Sequence, residues 1–163
     1  MSLREGKPER VWSLIGELRV PMVVTRDRTS GHLRARPMAA HPAPLENAIF
    51  FLTDVHAAKD DEIERDSNVC LVFSDAKAQK YLSLTGLAHL SDDRRKIEQL
   101  WSSIDAAFWK DANDPSIRLL TFVPTEAEYW ESAGVLASYV EMVKAAIAGG
   151  QPELRSNEKV KLS

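Results

Sequence analysis

Residues 32–59, reading HLRARPMAAHPAPLENAIFFLTDVHAAK, limit the folds open to this chain more than any other stretch. Two short apolar runs flank a segment carrying Pro42 and Pro44, and a proline has no backbone donor to give a central strand. Residues 32–40 and 48–53 therefore read as separate strands, with 41–44 as a break in pairing. Arg34 and Arg36 alternate along the first run, so they share one face. Phe50 and Phe51 are adjacent in the second, which calls for apolar cover on both faces. Lys59 follows soon after. Cations at the ends of two strands, beside an apolar wall, can hold a dianionic phosphate. From spacing alone the commoner case is an arginine pair solvated on an outward face.

The rest of the chain supplies strands and their cover. Residues 8–19 open with Pro8 in the first turn of a helix, and Val11, Leu14, Ile15 and Leu18 recur at helical spacing. Residues 20–26 are a β-branched strand, and Asp27-Arg28-Thr29-Ser30-Gly31 is the turn leading back to 32–40. Residues 56–66 read as a short helix with DDEIERD on its solvated side. Residues 69–74 are almost wholly apolar, a buried strand in which Cys70 is a small hydrophobe. Residues 81–90 form a further strand, with Gly86 at a bulge or close approach. Ser91 can cap a helix whose stripe is Ile97, Leu100, Trp101, Ile104 and Phe108. Residues 111–115 are a loop. Residues 117–123 are a strand ended by Pro124, with Arg118 at its rim, and 126–131 either extend the sheet or stand alone. Residues 135–148 form a helix stopped by Gly149-Gly150, and the chain from Gln151 is polar and loose.

Short strands without βαβ alternation or an internal repeat must hide their edges, and closing the sheet into a small barrel does so. The expectation is a mainly β (α+β) fold, an antiparallel β-barrel with peripheral helices. It forms one domain over residues 1–150, followed by a polar tail over 151–163. The net charge of -3 and pI of 5.8 give no basic field for nucleic acid, so a phosphate would need a local cluster of cations. One cysteine excludes an intrachain disulfide, and His32, His41, His56 and His89 show no ligand spacing, so no metal is expected. The start MSLREGKPER lacks a signal-peptide core and no apolar run approaches a membrane span. A cytoplasmic protein without membrane contact is the reading.

The motifs RARPM (Arg34, Arg36, Pro37, Met38), FFLTD (Leu52, Thr53) and Lys59 resemble those of the pyridoxamine 5'-phosphate oxidase-like split barrels, and among them most the general stress protein 26 branch. The resemblance covers about residues 10–131. It implies a six-stranded antiparallel split β-barrel that binds FMN. Arg34 and Lys59 would face the phosphate, and Arg36, Pro37 and Met38 would run their backbone past the isoalloxazine. Leu52 and Thr53 would reach the ribityl chain or phosphate. Where many relatives carry Ser or Arg before the lysine, this chain has Ala57 and Ala58, so one phosphate donor is missing.

Tyr81 and the nearby Gln79 match a polar position at the start of the strand YLSLTG that approaches the flavin, often across a dimer; an aromatic packing on the barrel rim fits as well. Trp109, the loop Asn113-Asp114-Pro115 and Glu128-Tyr129-Trp130 look like the family's ending, although KDANDP lacks its usual glycine. In relatives these segments lie near the flavin, sometimes from the partner subunit; the plain alternative is tryptophans that seal an interface. The substrate-binding arginine and histidine of true pyridoxamine phosphate oxidases have no counterpart, so vitamin B6 oxidation is not implied. The expected protein is an FMN-dependent oxidoreductase with a stress-related role, a homodimer with flavin at the subunit interface and a small-molecule redox partner. A non-catalytic flavin store or sensor, and a haem-binding split barrel, are the alternatives.

Overall fold

A computed structural model describes residues 4–132, 135–150 and 156–163. The elements in order are β1 (Arg4–Glu5), α1 (Pro8–Leu18), β2 (Met22–Arg26), β3 (Leu33–Pro37), β4 (His41–Ala43), β5 (Ala48–Asp54), α2 (Ala58–Arg65), β6 (Asn68–Asp75), β7 (Lys80–Ser91), α3 (Arg94–Leu100), β8 (Ile117–Glu131), α4 (Val135–Ala148) and β9 (Ser156–Lys161). β3 and β4 act as one strand bent at residues 38–40. β3 pairs with β2 and β4 with β5, while β5–β8, β8–β7, β7–β6 and β6–β2 complete a closed antiparallel ring. The six-stranded split barrel is therefore observed. β9 lies outside the ring on the second half of β8, with β1 parallel beside it.

Strand alternation fills the interior. Val23, Ile49, Phe51, Leu71, Phe73, Leu82, Leu84, Leu120 and Phe122 point inward and are buried, and α1 closes over them with Val11, Leu14 and Ile15. The even residues of β5 face outward under a second cluster, where Ala48, Phe50 and Leu52 meet Ile97 of α3 and the flanking Trp101 and Trp109. The two adjacent phenylalanines thus have cover on both faces.

Several expectations need correction. Residues 41–43 do form a strand; β4 has a partner on one side only, which is where a proline is tolerated. β8 also runs straight through Pro124. That residue sits at the register shift opposite Thr85/Gly86, in the gap between the last β5 pair at Phe122 and the first β9 pair at Glu126. α3 is capped by the Asp93 carboxylate, which accepts from the Lys96 N–H at 3.0 Å, while Ser91 ends β7. The helix stops at Leu100, so Ile104 and Phe108 leave the stripe and are exposed. β6 alternates instead of being buried throughout: Cys70 is half-buried on the outer face, and Val72 is exposed. The polar end also folds, since β9 pairs with residues 126–131 and buries Val160.

Gly86 is placed by close approach. A Cβ there would lie 2.2 Å from the Val123 carbonyl oxygen and 2.8 Å from Phe122 Cζ. Backbone cannot give way as a side chain can, so Gly86→Ala is expected to cost about 2–3 kcal/mol. Urea unfolding checks this, with an unchanged midpoint as the contrary result.

Candidate functional site

The β2–β3 ladder decides where the arginines point. Arg36 lies opposite Val23 and Arg34 opposite Thr25, and residues directly opposed in an antiparallel pair share a face. Val23 and Thr25 are the buried, inward residues of β2. Both arginines therefore lie on the face of the hairpin that Val23 and Thr25 turn inward; Arg36 is half-buried there, which departs from an outward solvated pair, while Arg34 stays 52% exposed.

There α2 lays a carboxylate across them. Glu62 is 7% exposed, accepts a hydrogen bond from the Thr25 hydroxyl, and takes both Nη1 (3.1 Å) and Nη2 (3.2 Å) of Arg36 on one oxygen. Arg36 Nη1 also reaches the Thr25 oxygen at 2.9 Å, and Arg34 Nε lies 3.5 Å from the other Glu62 oxygen. Arg34 Nη2 donates to Asp27 at 3.2 Å, in the turn between β2 and β3. Burial works against ionisation of Glu62, yet the Thr25 hydroxyl and the two guanidinium groups outweigh it, and its carboxyl titrates below the ordinary range. The acidic run from Asp60 to Asp66 is thus not wholly a solvated face. Ile63, 2% exposed, marks the side of α2 that turns inward, and Glu62 goes with it.

Neither Glu62 nor Thr25 stood out in the sequence. For Thr25 a signal existed, the period-2 alternation with Val23. For Glu62 the only hint was its place beside the single apolar residue of DDEIERD. Two carboxylates offset two guanidinium groups here, but the forks are not spent. Arg34 Nη1 has no partner among the described residues, and its side chain is 52% exposed.

β5 supplies the opposite wall. Thr53 is buried at 2% and pairs across to Arg118 of β8; Leu52 is also buried. The β4–β5 register carried onward sets Thr53 opposite Met38, but the ladder ends at His41↔Phe50. Residues 38–40 and 51–54 thus leave a seam between two strand edges. Pro37 is exposed and Met38 half-buried against the core. At the end of β5, Trp109 Nε1 donates to Asp54 Oδ2 at 3.2 Å, and its ring tilts against Trp101 and Phe108. The His56 backbone N–H, ahead of Trp109, holds Asp54 below its usual range. Lys59 is the second residue of α2, and its side chain lies outside the described residues.

Gln79, Tyr81 and Trp130 gather elsewhere. Tyr81 and Trp130 are paired across β7 and β8, while Gln79 holds a left-handed turn (φ 53) just before. Trp130 is twelve residues along β8 from Arg118, the partner of Thr53, or about 40 Å of strand. Within one chain the two groups therefore sit at opposite ends of β8. A concavity of about 570 Å³ opens on the outer face of β2, β6, β7 and β8, lined by Val24, Leu33, Cys70 and Leu87, with Thr25 at its edge. It does not coincide with the arginine cluster. No three potential metal ligands converge among the described residues.

The pyridoxamine 5'-phosphate oxidase-like family model matches residues 7–153. The chain belongs to that family. A structure from Jannaschia sp., assigned as general stress protein 26, is 24% identical over 94% of this chain and 96% of its own, with a TM-score of 0.71. A pyridoxamine 5'-phosphate oxidase-related FMN-binding protein from Nostoc punctiforme is 16% identical over 83% of this chain and 89% of its own, TM-score 0.64. A general stress FMN/FAD-binding protein from Xanthomonas citri is 25% identical over 76% of this chain and 87% of its own, TM-score 0.63. No curated protein matches the chain. No described helix of this family member is long and apolar enough to cross a membrane.

The Glu62 cluster has a pH signature. Its folded pKa lies below the unfolded value of about 4.3, so its contribution is complete above that value and drains away as pH falls through the folded one. Glu62→Gln is expected to cost about 2–3 kcal/mol at pH 7, with the gap to the native protein shrinking at a pH well below about 4.3. Urea midpoints at both pH values test this; a gap independent of pH is the contrary result.

Proposed function

We propose that this chain is a cytoplasmic FMN-binding protein, a flavin-dependent oxidoreductase with a stress-related role that works as a homodimer with flavin at the subunit interface. The observation that carries the reading is the pair Arg34 and Arg36 on one face of β3, Arg34 half exposed, shortly ahead in the chain of the seam between residues 38–40 and 51–54. Arg34 Nη1 and Lys59 would meet the phosphate. Arg36, Pro37 and Met38 would run past the ring, and Leu52 and Thr53 would reach the ribityl chain or phosphate. Leu52 and Trp109 pack in one apolar cluster on the outer face of β5. Bound flavin would supply the electron-accepting chemistry, while the protein binds and orients it. Family membership and the FMN-binding descriptions of the Nostoc and Xanthomonas proteins support this.

The dimer follows from the separation of the two groups. Gln79, Tyr81 and Trp130 lie far along the sheet from Thr53, so a second subunit is the economical source of cover for an exposed ring. The barrel interior is filled by its own phenylalanines and leucines, which keeps the ligand outside it.

Arg34→Ala and Lys59→Ala are each expected to weaken FMN binding by about 10- to 100-fold, as the loss of one charge-assisted contact does. Riboflavin, without the phosphate, should be nearly indifferent. Fluorescence quenching titrations measure both, and unchanged FMN affinity in the two variants would sink the phosphate assignment. For turnover, NADH or NADPH without oxygen should bleach bound flavin faster than free flavin. Equal rates with both donors assign the protein as a flavin store or sensor instead.

A further inference from the structure

The helix α4 presents an apolar face to water. At about 100° per residue, Met142, Tyr139, Val143, Ile147 and Val140 fall within one arc of about 160°. The polar side chains Glu141 and Lys144 occupy the opposite side, joined to each other at 3.0 Å. This is the pattern of a helix that packs on a core. Yet the arc is open: Tyr139 is 63% exposed, Val140 43%, Met142 45%, Val143 43% and Ile147 83%. None of these five residues belongs to either apolar cluster of the barrel.

In the chain α4 lies between β8 and β9, which pair with each other. Glu131 of β8 and Ser156 of β9 are register partners, so the chain leaves and re-enters the sheet at one point. The helix of residues 135–148 is thus an arm inserted in the chain between two neighbouring strands. The same chain carries a second uncovered apolar surface. On the outer face of the ring Met22, Leu33, Val72, Leu87 and Val123 are each more than one third exposed, around the concavity of about 570 Å³.

We infer that α4 is a docking arm that lays its Tyr139–Val143–Ile147 face on the outer face of β2, β6, β7 and β8 of a second copy of this chain. Twofold exchange matches each arm with an acceptor and leaves no arc over. An arm of fourteen residues is about 21 Å long, and its apolar half offers about 300 Å². Two arms and two acceptors then bury about 1,200 Å², the lower bound for a stable interface, before any barrel contact is added. A membrane is the poorer occupant. Glu141 and Lys144 cancel, and a chain of net charge -3 is not drawn to an anionic surface. The inference adds a named contact surface to the dimer proposed above, and is tested apart from it.

The full-length chain is examined by sedimentation equilibrium, beside Tyr139→Glu/Val143→Glu on the arm and Leu87→Glu on the acceptor. Glutamate keeps helix propensity, and circular dichroism confirms the fold of each variant. The native protein should sediment at twice the 18.2 kDa chain mass. Both variants should raise the dimer dissociation constant at least about 100-fold, as loss of buried anchors does. Native protein that stays monomeric at about 50 μM overturns the inference, as does dimerisation of both variants at native strength. Flotation of native monomer with phosphatidylcholine–phosphatidylglycerol vesicles, abolished by the arm variant, would also overturn it in favour of a membrane. FMN titration of each sample separates the readings: an unaffected dimer of the arm variant with bound flavin refutes the arm and leaves the flavin proposal standing.

Discussion

The fold rests on one strand that serves two partners along one edge. β8 keeps β7 on one side from Leu119 to Glu131, while the other side passes from β5 to β9 across residues 123–125. The first half of β8 closes the ring and the second half leaves it. A strand of fifteen residues bends this way only if the hand-over tolerates lost pairing. That is where Pro124, the extra residue Thr125 and the missing side chain of Gly86 are found. The Thr125 hydroxyl bonds the Thr85 carbonyl and the Thr125 carbonyl accepts from Leu162, so the kink still satisfies its polar groups.

Ring closure sets the electrostatics of the candidate site. The β2–β3 hairpin must lie with Val23 and Thr25 inward, which carries Arg36 and Arg34 to the same side. Two guanidinium groups there need a counter-charge, and α2 provides one buried carboxylate instead of leaving them to solvent. Removing one member of such a set exposes the others to the full desolvation cost. Both guanidinium groups are thereby held in place and partly neutralised, with Arg34 the more open of the two.

Much of this could be read in the chain. The shared face of Arg34 and Arg36 followed from period two, and Phe50–Phe51 foretold a strand covered on both sides. Whether the arginine face was inward needed the partner strand, which spacing within one strand does not give. Glu62 was hidden because a run of acids looks uniform until a neighbouring helix face is fixed by Ile63. β9 was missed because SNEKVK has no strand pattern of its own; it is extended because the free edge of β8 is there to pair with it. The length of α3 was overestimated from its stripe, since periodicity carries on past a helix end that backbone geometry sets at Trp101.

The pairing of β5 with β8 has a consequence for how the molecule is made. The hairpins β2–β3 and β6–β7 close over a handful of residues, whereas Ile49 and Phe122 meet from more than seventy residues apart. Closing so long a loop is entropically costly and is not repaid until the pair forms. The edge of β5, with its run of buried apolar side chains, therefore waits unpaired while the intervening chain is synthesised. On the ribosome the sequence AIFFLT is the segment in greatest need of shelter, and the barrel becomes a barrel only once β8 has emerged.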